Sequence, residues 1–104
     1  MAEARRKVLV TGSIQARPER IDELLALSLE HVQRSRTEPG CLSHAVHRDA
    51  EDPLRLVFVE EWVDRDALRA HFAVPASRAF VKAAAACAWG APTMSLYEVD
   101  DLKF

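Results

Sequence analysis

The segment Leu54–Trp62 constrains the fold of this chain more than any other feature. Its length and its β-branched and apolar residues are typical of a strand, in which successive side chains point to opposite faces. Leu56 and Phe58 lie on one face, and Val57 and Val59 lie on the other. Because a strand with one solvated face alternates apolar and polar residues, this strand is predicted to be covered on both faces.

Turn and helix signals predict the remaining elements. Pro18 suits the first turn of a helix, and Pro39-Gly40 ends that helix. Asp64 is a good N-cap for a second helix, which Pro75 is expected to break before it restarts near Ser77. The predicted elements are strands over 8–14, 41–48, 54–62 and 94–99, a long helix over 18–37, and a broken helix between 64 and 90.

This order of elements predicts an α+β fold of the ferredoxin-like βαββαβ type, with both helical regions on one face of an antiparallel sheet. Residues 1–104 are predicted to form a single domain, with 1–6 as a flexible arm. The helices can cover only one face, and each aliphatic side chain left in water on the other would cost about 1.5–3 kcal/mol. We therefore expect a homodimer that buries the second face; tolerated exposure or a covering loop is the alternative.

Composition narrows the possible partners. The net charge of −2 gives no general attraction to nucleic acid or anionic membranes. The apolar run 8–10 is too short for a signal-peptide core or a membrane span, so a cytoplasmic protein is expected. Cys41 and Cys87 are too few for a disulfide framework and are interpreted as free thiols.

An ordered set of short motifs resembles the antibiotic biosynthesis monooxygenase (ABM) family over about residues 7–100. The set comprises Glu38-Pro-Gly-Cys-Leu42, Asp52-Pro53, Phe58-Val-Glu-Glu-Trp62, Leu68 and His71. The resemblance implies a dimeric α/β barrel, in which two ferredoxin-like sheets face each other. Members of the family include cofactor-independent monooxygenases of quinols and aromatic polyketides, haem-degrading enzymes, an isomerase and many proteins without known activity.

The chain departs from the family pattern in two respects. Haem-degrading members and some polyketide oxygenases use a strand-borne asparagine, and this chain contains no asparagine. Many members also have a histidine soon after the helix-breaking proline, where this chain has Pro75-Ala76-Ser77. The first departure disfavours haem degradation.

His71 is the first candidate for a catalytic residue. It shares the apolar face of the second helix with Leu68 and Phe72, and histidine titrates near neutral pH. Phe72 is expected to contact a substrate beside it. A hydrogen-bonded histidine that only stabilises the core is the alternative.

Glu60 and Trp62 share a strand face and are the next candidates. Glu60 could act as a base, or it could form a structural pair with Arg48 or Arg69, because buried carboxylates are rare unless paired. Trp62 could form an aromatic wall for a planar substrate, or it could pack in the core with its indole N–H paired. Glu61 points the opposite way and cannot act together with Glu60.

His44 and Tyr97 complete the set of candidate substrate-binding residues, Tyr97 as a hydrogen-bond donor or as an interface residue. His44 and His47 resemble a metal pair, but residues three apart on a strand face opposite sides and cannot chelate one ion. His31 is expected at the surface, and no metal site is predicted.

Three functions remain open at this stage. The first is a cofactor-independent monooxygenase that acts on a quinol or aromatic polyketide, with His71 as base. The second is an isomerase that enolises a small carbonyl compound. The third is a dimeric module that binds a small aromatic molecule without turnover.

Overall fold

The computed structural model describes residues 6–104. Its strands are β1 (Lys7–Gln15), β2 (Cys41–Asp49), β3 (Asp52–Trp62) and β4 (Thr93–Val99). Its helices are α1 (Ile21–Ser35), which follows a 3₁₀ turn at Pro18–Arg20, α2 (Arg65–Ala73) and α3 (Pro75–Cys87). Most of the predicted arm, 1–6, lies outside the described residues; Arg6 forms an ion pair with Asp100.

The four strands form one antiparallel sheet in the order β2-β3-β1-β4. The central strands are β3 and β1. The helices pack on one face, so the ferredoxin-like α+β prediction is confirmed. None of the helices in residues 6–104 is long and apolar enough to cross a membrane.

Local signals set the helix boundaries near the predicted ones, although α1 is shorter than 18–37 and α3 begins at Pro75 rather than near Ser77. The side chain of Asp64 accepts a hydrogen bond from the backbone N–H of Ala67, as an N-cap does. Pro75 opens α3 after the extended residue Val74, so the predicted break divides the helical region into α2 and α3. Helix α2 packs against β1 and β3, and α3 packs beside α1.

The turn between α1 and β2 needs its glycine. The backbone N–H of Cys41 donates to the carbonyl of Glu38, and Gly40 has φ +80°, so the turn is of a type that places glycine at its third position. A Cβ atom at Gly40 would lie 2.6 Å from the Cβ of Ala67 and 2.8 Å from a methyl group of Val63. The turn therefore packs against the start of α2 and brings Glu38 close to that helix.

The helix-facing side of the sheet carries the core. One cluster joins α1 and α3 to the sheet through residues such as Leu24, Val32, Leu56 and Phe58. A second cluster surrounds Trp62 and includes Val8, Val10 and Leu68.

The opposite face of the sheet, which we call the open face, carries no helix. Leu9, Val57 and Val59 lie there and are only partly buried, and Tyr97 is half exposed. This arrangement agrees with the two-faced pattern of the sequence. The homodimer that would cover the open face stays a prediction.

Candidate active site

The site begins with a row of side chains across the sheet. Glu60 on β3 lies directly opposite His44 on β2 and Val10 on β1. Directly opposite residues of an antiparallel sheet share a face, and this row faces the helices. His47, three residues from His44, pairs with Val57 on the open face, so the prediction that the two histidines point apart is confirmed.

Glu60 is buried, with 6% of its surface exposed. Its Oε1 accepts a hydrogen bond of 2.9 Å from the indole Nε1 of Trp62 and lies 3.2 Å from Nε2 of His44. Burial by itself would raise the pKa of Glu60, but the adjacent His44 and the indole donor outweigh burial and hold the pKa below its ordinary value. Glu60 is therefore a buried carboxylate that stays ionised.

The partners of Glu60 differ from those that the sequence suggested. The structure places His44 and Trp62 beside it, while Arg69 pairs with Asp66 at the surface. Arg48 is exposed near the far end of β2. A structural pair between Glu60 and either arginine is therefore wrong, because neither guanidinium reaches the buried row.

His71 is held by an acidic residue from the turn before β2. Its Nδ1 lies 2.8 Å from Oε1 of Glu38, and His71 is 4% exposed. Since a carboxylate accepts, Nδ1 carries the proton and donates it to Glu38. This leaves the lone pair of a neutral imidazole on Nε2, which is the tautomer that a histidine base or ligand needs.

His31 is buried, and its predicted place at the surface is wrong. Only 6% of it is exposed, and it lies on the packed face of α1, which also carries Leu24 and Val32. Its ring stacks on Phe80, with centroids 4.1 Å apart and planes 7° apart, and its Nδ1 accepts from Nη2 of Arg34 at 2.7 Å. Burial, followed by the nearby charges of His44, His71 and Arg34, lowers the pKa of His31 to about 3, so the ring is neutral at pH 7.

His31, His44 and His71 form one buried cluster, although they come from three different elements. Their ring centroids are 5.3 Å (His31 to His44), 5.3 Å (His31 to His71) and 5.5 Å (His44 to His71) apart. One nitrogen of each lies within 4.8 Å of the others. Three of the four histidines in the sequence therefore meet at one point beside Glu60.

A cavity of about 290 Å³ opens next to this cluster. His31, Glu60 and His71 line its polar end, and Phe58, Phe80 and Val81 are among its apolar walls. The mixture of a large apolar wall and a few convergent polar groups is typical of a small-molecule site. The cavity lies between the helices and the sheet and has room for a small aromatic ring.

The other candidate residues occupy different positions. Trp62 is fully buried beneath His71, with ring centroids 4.6 Å apart, and does not line the cavity. Phe72 borders the cavity and a neighbouring depression of about 340 Å³, where Tyr97 also lies. Tyr97 stands opposite Leu9 on β1, on the open face, so the structure brings His71, Glu60 and Phe72 together but leaves Tyr97 apart.

Comparison with known proteins identifies the family. The family model for antibiotic biosynthesis monooxygenases matches residues 7–83. The chain belongs to the antibiotic biosynthesis monooxygenase family. A solved antibiotic biosynthesis monooxygenase is 34% identical with a TM-score of 0.84, and the match covers 90% of this chain and 99% of that one.

Two further proteins are similar to this ABM domain, one in sequence and one in fold. An uncharacterized protein of Synechocystis is 36% identical over 75 residues, which are 72% of this chain and 51% of that protein. The ABM chain thus spans about half the length of this curated relative. A conserved protein of Methanosarcina mazei has a TM-score of 0.87 over 92% of this chain and 95% of its own, at 22% identity, and shares the fold.

Sequence reasoning missed Glu38 and His31, which lie in this candidate site. Glu38 stands in the motif that carried the family resemblance, but 33 positions separate it from His71, and no local pattern joins them. His31 had a signal: it follows Leu24 by seven residues and Ser28 by three, which is the spacing of one helix face.

Proposed function

We propose that this ABM protein is a monooxygenase that oxidises a quinol or a related electron-rich aromatic compound without a cofactor. The observation that carries the proposal is His71 in the wall of the cavity, held through its Nδ1 by Glu38. Membership of the ABM family supports the same reaction class. The substrate ring would lie against Phe80 and Phe72, with one hydroxyl group toward His71.

In the proposed reaction, His71 accepts a proton from the substrate hydroxyl on Nε2, because Glu38 holds the other nitrogen protonated. Glu38 also stabilises the imidazolium that forms. The resulting phenolate is electron-rich enough to reduce O₂. One oxygen atom joins the ring and the other leaves as water, so that a quinol and O₂ give a hydroxyquinone and water, with all electrons supplied by the substrate.

Glu60 contributes an ionised carboxylate behind the cluster. It lies 3.2 Å from His44 and lines the cavity, so its negative charge favours a positive charge on the histidines as the proton moves. Because Trp62 donates to the same oxygen atom, the carboxylate is fixed in place. Glu60 therefore acts on the reaction through the histidines.

We also propose that the active form is a homodimer. The open face carries Leu9, Val57 and Val59, which are partly buried in a single chain, and a second copy would remove them from water. The family resemblance implies the same two-sheet barrel.

Oxygen consumption with a panel of naphthoquinols and anthrones tests the function. Wild-type protein should consume O₂ without added cofactor, and His71→Gln should be slower by about 100-fold or more, the usual contribution of a positioned base. Glu38→Gln should lose less activity than His71→Gln, since the amide oxygen of glutamine still accepts a hydrogen bond from Nδ1 of His71. His47→Gln is the matched control, because His47 lies on the face of the sheet away from the cavity; sedimentation should show that this variant has the same oligomeric state as the wild type.

Two outcomes would contradict the proposal. Uptake that is equal in wild-type and His71→Gln protein would show that the cavity histidine is not the base. Incorporation of solvent deuterium into a carbonyl substrate without O₂ uptake would instead support the isomerase.

A further inference from the structure

We propose that His31, His44 and His71 form a binding site for a divalent transition-metal ion of the type that imidazole ligands favour, such as Zn²⁺, Ni²⁺ or Co²⁺. This inference goes beyond the proposed oxygenation and does not depend on it, since metal binding is measured without substrate. Within residues 6–104, these three histidines are the group of side chains that could hold such an ion.

The arrangement of the rings fits one ion. Imidazoles that bind a tetrahedral ion at about 2.0–2.1 Å place their ring centres about 5 Å apart. The three centroid distances here are 5.3, 5.3 and 5.5 Å. One nitrogen of each ring lies within 4.8 Å of the others, and centroid distances that already match those of a bound set allow rotation of the rings to bring the nitrogens together.

His44 supplies an independent observation. It is 1% exposed, and its Nδ1 has no hydrogen-bond partner, while its Nε2 faces only the carboxylate of Glu60. Its Nε2 approaches Glu60 to 3.2 Å but without the direction of a hydrogen bond. A buried polar atom without a partner costs about 1–3 kcal/mol, and a metal ion would satisfy it.

The surroundings of the cluster also suit a cation. Glu38 accepts from Nδ1 of His71, and a carboxylate behind a histidine is the usual outer partner of a metal ligand. Glu60 adds a second negative charge next to His44. Two carboxylates beside three imidazole rings therefore favour a divalent ion, and the cavity gives it a path of entry.

Arg34 is the group that the ion must displace. It donates to Nδ1 of His31, which places the proton of that neutral ring on Nε2. Binding through Nε2 requires the proton to move to Nδ1, where it would meet the guanidinium donor. Arg34 is only half-buried on α1, so its side chain can turn toward solvent, and its removal should strengthen binding.

Titration of chelator-treated protein with Co²⁺ tests the site. We expect about one ion per chain, a visible absorption band, and competition by Ni²⁺ and Zn²⁺ but not by Mg²⁺, which prefers oxygen ligands. Quenching of Trp62 in a Trp89→Phe background gives a second readout, because Trp62 contacts His71 while Trp89 is exposed.

Variants separate this site from surface binding. His31→Gln, His44→Gln and His71→Gln should each weaken Co²⁺ binding by at least about 100-fold, since loss of an outer partner alone costs 10–100-fold. His47→Gln should bind as the wild type does. Arg34→Met leaves the cluster intact and should tighten binding several-fold, so it tests the site even if a histidine variant fails to fold.

Three results would overturn the proposal. These are a wild-type affinity no higher than that of His44→Gln, an equal loss in His47→Gln, and an Arg34→Met variant that binds no more tightly than the wild type. Because a bound ion would occupy the nitrogen of His71 that accepts the proton in the proposed oxygenation, oxygen uptake is measured on chelator-treated protein, so that each test can fail without the other.

Discussion

The two faces of the sheet both carry a glutamate, but the residue on one face is buried in the candidate site and the residue on the other forms a surface ion pair. Glu60 and Glu61 are neighbours in sequence, yet Glu60 is buried beside Trp62 and His44, while Glu61 pairs with Lys7 at 2.6 Å in a partly solvated setting. The difference follows from the two-residue period of a strand. Residue type alone therefore does not mark a functional carboxylate; the face on which it lies decides.

The two tryptophans give the largest expected contrast between buried and exposed positions. Trp62 is fully buried and bonded to Glu60, whereas Trp89 is 67% exposed. Trp62→Ala should lower the free energy of unfolding by about 3–5 kcal/mol, measured by urea denaturation followed by circular dichroism. Trp89→Ala should change it by less than about 0.5 kcal/mol, and equal losses would contradict this description of the core.

A charge on the open face tests whether that face is covered. Val59 lies near the middle of β3 and is only partly buried in one chain. If a second copy packs there, Val59→Lys should weaken dimerisation by about 3 kcal/mol or more, because the charge would be buried without a partner. Sedimentation at micromolar concentration should show dimers of the wild type and monomers of the variant.

Val81→Lys is the control for that experiment, since Val81 is 63% exposed on α3. A wild-type protein that sediments as a monomer would remove the dimer and leave the open face exposed. Dimers of the wild type and of Val81→Lys, together with monomers of Val59→Lys, would show that the helices bury one face of the sheet and a second copy of the chain buries the other.

The smallest expected difference in the free energy of unfolding is between variants of the adjacent residues Glu60 and Glu61. Glu60→Gln should lower the free energy of unfolding by about 1–3 kcal/mol, because it removes a buried charge that accepts from Trp62. Glu61→Gln should cost less than about 1 kcal/mol, as for other surface ion pairs. Urea denaturation of both variants at the same pH measures the difference, and a larger loss for Glu61→Gln would reverse the assignment of the faces.

Local patterns were sufficient to predict the elements of this fold. The cap at Asp64, the break at Pro75 and the turn at Gly40 all depend on neighbouring residues, and all three occur where the sequence predicted a boundary. Two-residue alternation also placed Glu60 and Trp62 on one face, and His44 and His47 on opposite faces. These features need only the chemistry of a few consecutive residues.

Only the tertiary structure decided which residues that are distant in sequence come into contact. His31, His44 and His71 lie on α1, β2 and α2, and the turn at Gly40 must pack against Ala67 before Glu38 can reach His71. Periodicity assigns a side chain to a face but gives no distance to a residue on another element. The sequence by itself thus determined a two-faced sheet with its helices on one side, and the packing of those helices determined which histidines share a site.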